Sequence, residues 1–344
     1  MFAPIAARGR HHRPGRDVRL AGSLIPVTLI LAVLTAGLAL ADPGPAATRL
    51  SAADAARAGL AIRLARHAVR GETLIEVLPG AASVGPAAAS RLLAASPDGT
   101  VAALADRLGE PSGTLVVAHG DGSQLRLDLP GLLAAAFTAD GSRLAVIDGR
   151  GALWQVDVQR GDAEMLAAGP FLGTPIVASD GSILLLSVSS VEAPYRSRLV
   201  RLDPSSGVTV ELATDELVYA AFPLADGAVA FAAHQPGRTV VQRIPRGSVT
   251  TELVADLGRG AVNVTVSGDG RTIAYEAGSA VFLVTGAGAA PRRLGPGSEP
   301  CLAPDGGALL VRRGARAVLL ALDGSILAVL EGPARFAGAA GCPS

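Results

Sequence analysis

Six times along this chain a short apolar run ends in Asp-Gly and a second apolar run begins at once. The first instance is Ser96-Pro97-Asp98-Gly99. It returns as Thr138-Ala139-Asp140-Gly141, Ala178-Ser179-Asp180-Gly181, Leu224-Ala225-Asp226-Gly227, Ser267-Gly268-Asp269-Gly270 and Ala303-Pro304-Asp305-Gly306. The aspartates are 42, 40, 46, 43 and 36 residues apart. A tight hairpin turn needs a residue that tolerates positive φ, which glycine does without a Cβ clash. The aspartate beside it accepts backbone N–H groups within the turn. Asp98, Asp140, Asp180, Asp226, Asp269 and Asp305 are therefore read as turn formers, not as catalytic or metal-binding carboxylates.

Each unit repeats one internal grammar. A strand runs into the Asp-Gly turn, a second follows it (Arg143–Ile147), then a third (Leu153–Asp157), then a weaker fourth (Ile326–Leu330). Short apolar runs bounded by Gly, Pro, Asp and Ser at such regular spacing predict antiparallel sheet. Six units fall at about 90–130, 131–170, 171–216, 217–260, 261–297 and 298–332. A unit of this size cannot bury its apolar faces alone, so neighbours must stack, and a 40-residue period of four strands predicts a β-propeller. The expected fold is all-β, with six or seven four-stranded blades. A seventh blade forms if Ala334–Ala340 pairs with the strands before residue 90, such as Gly71–Pro79; otherwise the N-terminal strand completes the sixth. Residues 42–89 are then a linker, with a brief helix from Ser51 to about Leu64, plus the strand or strands that close the ring.

The Ser96-Pro97-Asp98-Gly99 turn and the Ala303-Pro304-Asp305-Gly306 variant resemble the blade of TolB-type, WD-repeat-like propellers of bacterial envelopes. The resemblance covers roughly residues 90–332 and implies a blade architecture, not an activity. TolB itself resembles a propeller preceded by a sizeable α/β domain, for which residues 42–89 are too short, so the chain is expected to be a TolB-like propeller other than TolB.

Ahead of the repeats stand Arg8, Arg10, Arg13, Arg16 and Arg19, then an uncharged run from Leu20 to Ala41 that ends Ala39-Leu40-Ala41. A basic start, an apolar middle and a small-x-small end predict a signal peptide cleaved after Ala41. The run is also long enough to be retained as a membrane anchor. Either way the remainder is expected to be exported to the periplasm or the cell exterior. That remainder carries 25 Arg against 29 acidic residues, which offers no general attraction for nucleic acid. Cys301 and Cys342 are the two cysteines, and in an oxidising compartment they are candidates for a disulfide.

No Gly-x-Ser-x-Gly elbow and no His or Cys pair at metal-ligand spacing occurs, so neither a cofactor nor a metal is expected. His67, His119 and His234 stand isolated in the exported part. The insertion Ser189–Arg196 exposes Tyr195 and Arg196, and two further connections between second and third strands carry Arg107 and His234 with Arg238. Loops of this kind project from one face of a propeller and carry function, and Tyr and Arg are frequent interface anchors. Tyr195, Arg196, His234, Arg238 and Arg107 are thus the binding candidates. The expected function is a scaffold that binds an envelope protein, a cell-wall-linked partner or a ligand. The alternative is a propeller enzyme of lyase, lactonase or quinoprotein type, with polar groups converging on the central channel.

Overall fold

The computed structural model describes residues 47–57, 62–79, 91–106, 113–190, 196–339 and Cys342. The leader 1–41, the 81–89 loop and the 107–112 connection lie outside the described residues. No helix among the described residues is long and apolar enough to cross a membrane.

The described chain starts with β1 (Ala47–Leu50) and a single helical turn, α1 (Ala52–Arg57). Ser51 caps α1: its hydroxyl accepts the Asp54 N–H at 3.1 Å and donates to the Asp54 carboxylate at 2.7 Å. The helix does not run to Leu64 as the cap and alanines suggest. Residues from Ile62 onward instead form β2 (Ile62–Val69), which pairs in full register with β3 (Glu72–Pro79). Tertiary pairing overrides helix propensity here.

Seven blades follow. Blade 1 comprises β4 (Arg91–Ala95), β5 (Val101–Asp106), β6 (Gly113–His119) and β7 (Gln124–Leu129). Blade 2 comprises β8 (Ala134–Phe137), β9 (Arg143–Ile147), β10 (Leu153–Asp157) and β11 (Ala163–Ala167). Blade 3 holds β12 (Phe171–Val177), β13 (Ile183–Ser190), β14 (Arg196–Leu202) and the first half of β15 (Thr209–Pro223). The second half of β15 becomes the inner strand of blade 4, beside β16 (Val229–Gln235), β17 (Arg238–Ile244) and β18 (Glu252–Gly258). Blade 5 is β19 (Ala261–Val266), β20 (Thr272–Ala277), β21 (Ala280–Thr285) and β22 (Arg292–Pro296); blade 6 is β23 (Ser298–Leu302), β24 (Ala308–Arg313), β25 (Arg316–Ala321) and β26 (Ile326–Leu330). Blade 7 has three described strands. Its inner strand is the C-terminal β27 (Ala334–Phe336), paired with β3, which pairs with β2. The ring therefore closes by joining its two ends, and the count is seven rather than six. β1 takes no part in blade 7; it extends the outer edge of blade 1 by pairing with β7.

Burial explains why the middle strands read as unbroken apolar runs. In β9, Leu144 and Val146 enter the core between blades 1 and 2, while Ala145 and Ile147 enter the core between blades 2 and 3. β13, β16 and β24 divide in the same way between their flanking interfaces. A strand buried on both faces loses the polar half of its alternation.

Closure is reinforced at one place. The Glu76 carboxylate accepts the N–H groups of Glu331 and Gly332, each at 3.1 Å, as the chain turns into β27. Arg335 on β27 is buried and donates to the carbonyls of Leu92 in blade 1 (3.3 Å) and Cys342 (3.4 Å). A disulfide joins Cys301 in blade 6 to Cys342, with Cα atoms 4.9 Å apart. These links staple the last strand to both neighbouring blades.

Candidate functional site

The Asp-Gly turns occupy one face of the disc. Asp98 accepts the Ser96 hydroxyl at 2.6 Å and the Thr100 N–H at 3.0 Å, and the N–H two residues ahead is likewise bonded to Asp140, Asp180, Asp226, Asp269 and Asp305. The turn glycines all sit at φ between 67° and 82°. Turns of adjacent blades also bond to each other, Ala225 N–H to Gly268 O at 2.8 Å and Gly268 N–H to Pro304 O at 3.1 Å.

In blades 2, 4, 5 and 6 the start of the inner strand and the connection from second to third strand lie at the opposite end, as does the start of the inner strand of blade 3. There, between blades 3 and 4, is a cavity of about 460 Å³ lined by Leu172, Gly173, Leu186, Val188, Arg196, Ser197, Leu217, Val218, Tyr219 and His234. Its wall is largely aliphatic. Gly173, at φ +71°, forms a bulge in β12 and brings the backbone close to Leu186, so a side chain there would intrude. Ser197 donates its hydroxyl to the Val218 carbonyl and ties the two blades behind the cavity.

Of the polar residues on the wall, Arg196, Ser197, Tyr219 and His234, the last two form a stacked pair. The Tyr219 and His234 rings lie 4.4 Å apart at 20°. His234 Nδ1 is 2.9 Å from Thr239 Oγ1, which is 3.0 Å from the Ala261 carbonyl. The threonine has one proton and the carbonyl can only accept, so that proton goes to Ala261 and the imidazole donates from Nδ1. Nε2 is then a bare acceptor. Burial pushes the His234 pKa down, in favour of the neutral ring. The Tyr219 hydroxyl is buried with no hydrogen-bond partner among the described residues, and burial pushes its pKa well above the ordinary tyrosine value.

Among the residues singled out in the sequence, the cavity brings together Arg196 and His234. Arg238 does not line it. Its guanidinium bridges Gln235 at 2.9 Å and Asp256 at 3.0 Å, fastening the β16–β17 hairpin to β18. Tyr195 and Arg107 lie outside the described residues. His67 contacts Glu76 at 2.9 Å in blade 7. His119 is buried at the end of β6, where burial first and the charge of Arg49 second lower its pKa. Tyr219 and Thr239 carry no motif in the sequence, because each is one more residue of a β-strand.

A second polar cluster gathers at the starts of inner strands. The Glu299 carboxylate faces Arg312 at 3.2 Å and Arg91 of blade 1 at 3.4 Å. The Glu276 carboxylate accepts the Asn263 side-chain N–H at 2.8 Å and the Glu299 backbone N–H at 3.2 Å. Asn263 and Glu299 occupy equivalent bulges and have φ of 48° and 50°, a strained conformation that recurs at functional sites. Among the described residues, no group of three or more His, Cys, Asp or Glu is placed to hold a metal ion.

No family model matches the sequence, and no curated protein matches it. Solved structures do match. TolB from Acinetobacter baumannii is 19% identical over 84% of this chain and 86% of its own, with a TM-score of 0.53. An oligogalacturonate lyase in complex with manganese is 13% identical over 81% of this chain and 84% of its own, with a TM-score of 0.56. The tricorn protease is 10% identical over 86% of this chain but 36% of its own, with a TM-score of 0.57. At these identities the likeness is one of fold, and by fold the chain stands with TolB and the other β-propellers.

Proposed function

We propose that this chain is an exported cell-envelope propeller that acts as an interaction or ligand-binding scaffold, with the cavity between blades 3 and 4 as its receptor. The cavity carries the reading. It is concave, mostly apolar, of a size suited to a small molecule or a protruding side chain, and furnished with a few polar groups. Export is supported by the basic-then-apolar leader and by the Cys301–Cys342 disulfide, a bond that persists in oxidising compartments. The test uses the mature protein and Leu172→Trp, which fills the cavity from a position that is 49% exposed and so tolerant of a larger ring. Both are immobilised and presented with an envelope extract. Molecules retained by the native protein and lost on Leu172→Trp are expected; identical retention by the two would sink the assignment.

A second reading, a propeller enzyme, is favoured by the Arg91–Glu299–Arg312 cluster. Its one carboxylate, Glu299, is already engaged by both guanidinium groups, so a substrate would have to displace one of them. Incubation with oligogalacturonate, with Glu299→Gln as control, tests it. Turnover lost in the variant would move the site from the blade 3–4 cavity to the inner-strand cluster.

A further inference from the structure

Among the described residues, blade 7 is one strand short. Its outermost strand is β2, whose Ile62 and Leu64 share an apolar cluster with Val116 and Ala118 of β6, the third strand of blade 1. β2 thus stands in the third-strand place, and the fourth-strand place beside it holds no described strand. The backbone groups on that open side follow from the ladder. The Thr73 carbonyl accepts from Ala337 and the Val77 N–H donates to Pro333, so both residues of β3 bond away from β2. Pairs in an antiparallel ladder alternate. Ala68 and Leu64, which stand opposite Thr73 and Val77, therefore turn their N–H and C=O toward the open edge, as does Arg66 between them. No described residue bonds to these groups.

Outer edges are common to every blade, but the others are blunted. β11, β15, β18, β22 and β26 each meet their neighbour with a register shift, the kind of bulge that turns an edge away from further pairing. β7 pairs without a shift, and there the chain covers the edge itself by laying β1 along it. β2 pairs without a shift over eight residues, and no described strand covers it. Charge selects the occupant. Arg63 and Arg66 on β2 and Arg70 in its turn are exposed, and β2 carries no acidic residue. Neither Arg63 nor Arg66 is held in an ion pair by a described residue. The β3 carboxylates are engaged, Glu76 by the N–H groups of Glu331 and Gly332 and Glu72 by that of Asp305. A second copy of this chain would bring the arginines against their own counterparts, and like charges across a strand pair destabilise it. We propose that the β2 edge takes an added β-strand from a partner polypeptide, an extended segment with acidic residues three apart that meet Arg63 and Arg66 on the two faces of the new pair. This contact is separate from the cavity between blades 3 and 4, so either assignment can fail without the other.

The probe is a fluorescent peptide, acetyl-Val-Thr-Glu-Val-Thr-Glu-Val-Thr-amide, titrated into the mature protein at about 20 mM salt, where exposed charges are weakly screened. Saturable binding by anisotropy is expected, and the peptide with both Glu replaced by Lys should bind about tenfold more weakly. The Arg63→Glu/Arg66→Glu double variant should invert that order. Ala68→Pro removes one outward N–H and no bond to β3, so it should leave the melting point in place and weaken the acidic peptide about threefold to tenfold. Bound peptide should slow amide exchange in β2 and in no other outer strand. No saturable binding, equal affinity for the two peptides, an order that survives the double variant, or an affinity unchanged in Ala68→Pro would each overturn the proposal. So would a dimer in sedimentation that Ala68→Pro dissociates, because the occupant would then be a second copy.

Discussion

Reduction of the Cys301–Cys342 disulfide should loosen the ring at its seam. The bond closes a loop across 41 residues of sequence. In the chain-entropy account, cross-linking a loop of that length removes about 4 kcal/mol from the unfolded ensemble. Unfolding a body of roughly 300 residues carries an entropy of about 0.6 kcal/mol/K, so the melting point should fall by about 6 °C. Both sulfurs are buried beside Leu74, Leu310, Leu319 and Phe336. Reduced thiols keep that packing, whereas the Cys301→Ala/Cys342→Ala double variant loses two sulfurs as well and should melt lower still. The loss should also be local. β27 has three residues and is held through β3, Arg335 and the disulfide, so amide exchange should accelerate at Ala334–Phe336 and in β3 before any other blade. Denaturation of oxidised and reduced protein, with exchange read by mass spectrometry, tests both parts. Coincident midpoints, or exchange that rises evenly across all blades, would refute the closure argument.

The Asp140 carboxyl is held at about 2 by the hydroxyl of Thr138 first, then by the N–H and hydroxyl of Ser142. A lowered folded-state value means that its stabilisation is complete above the ordinary carboxylate range and is lost as pH falls from about 4 to about 2. An NMR titration of Asp140 with its midpoint near 4 would contradict this, and Asp140→Asn should flatten that part of the acid-unfolding curve. Gly99→Ala and Gly181→Ala both place a Cβ at positive φ, worth about 1–2 kcal/mol of strain. Only the first also meets a neighbour, Ile75 Cδ1 at 2.7 Å, whereas nothing lies within 4 Å of the second. Denaturant midpoints should therefore show Gly99→Ala as the more damaging, and equal losses would mean that the turn does not pack on blade 7. Arg335→Leu leaves the carbonyls of Leu92 and Cys342 short of a donor and should cost about 1–3 kcal/mol in the same assay; no loss would mean that the guanidinium is not part of the seam.

The Asp-Gly period makes the blade legible because it is a local requirement repeated six times. Each copy needs the same positive φ and the same carboxylate beneath the same N–H. The seventh blade is legible only as one of two options. Its inner strand and its outer strands lie at opposite ends of the chain, and no local signal reports a pairing such as Phe336 with Leu74. β2 escapes a sequence reading for a related reason: Ile62–Val69 is rich in helix formers, and only its pairing with β3 makes it a strand. At the cavity, Arg196 and His234 are visible as loop-end residues. Tyr219 and Thr239 are not, since their roles depend on partners in other strands, His234 of β16 for Tyr219 and the Ala261 carbonyl of blade 5 for Thr239.

The placement of the cavity follows from the same period that defines the fold. A propeller fills the space between blades by burying both faces of its middle strands, so regular units leave little room there. The interval between Asp180 and Asp226, at 46 residues, is the longest of the five. Relative to blade 2, the extra length goes into the second and third strands of blade 3. β13 and β14 have 8 and 7 residues, where the matching β9 and β10 have 5 each. The added residues extend away from the Asp-Gly face, and Val188, Arg196 and Ser197 on the cavity wall belong to those extended ends. Opposite them β15 runs unbroken from blade 3 into blade 4 and delivers Leu217, Val218 and Tyr219 to the same rim. The rim of blade 3 thus faces Leu217, Val218, Tyr219 and His234 of blade 4 across a concave, mostly apolar surface.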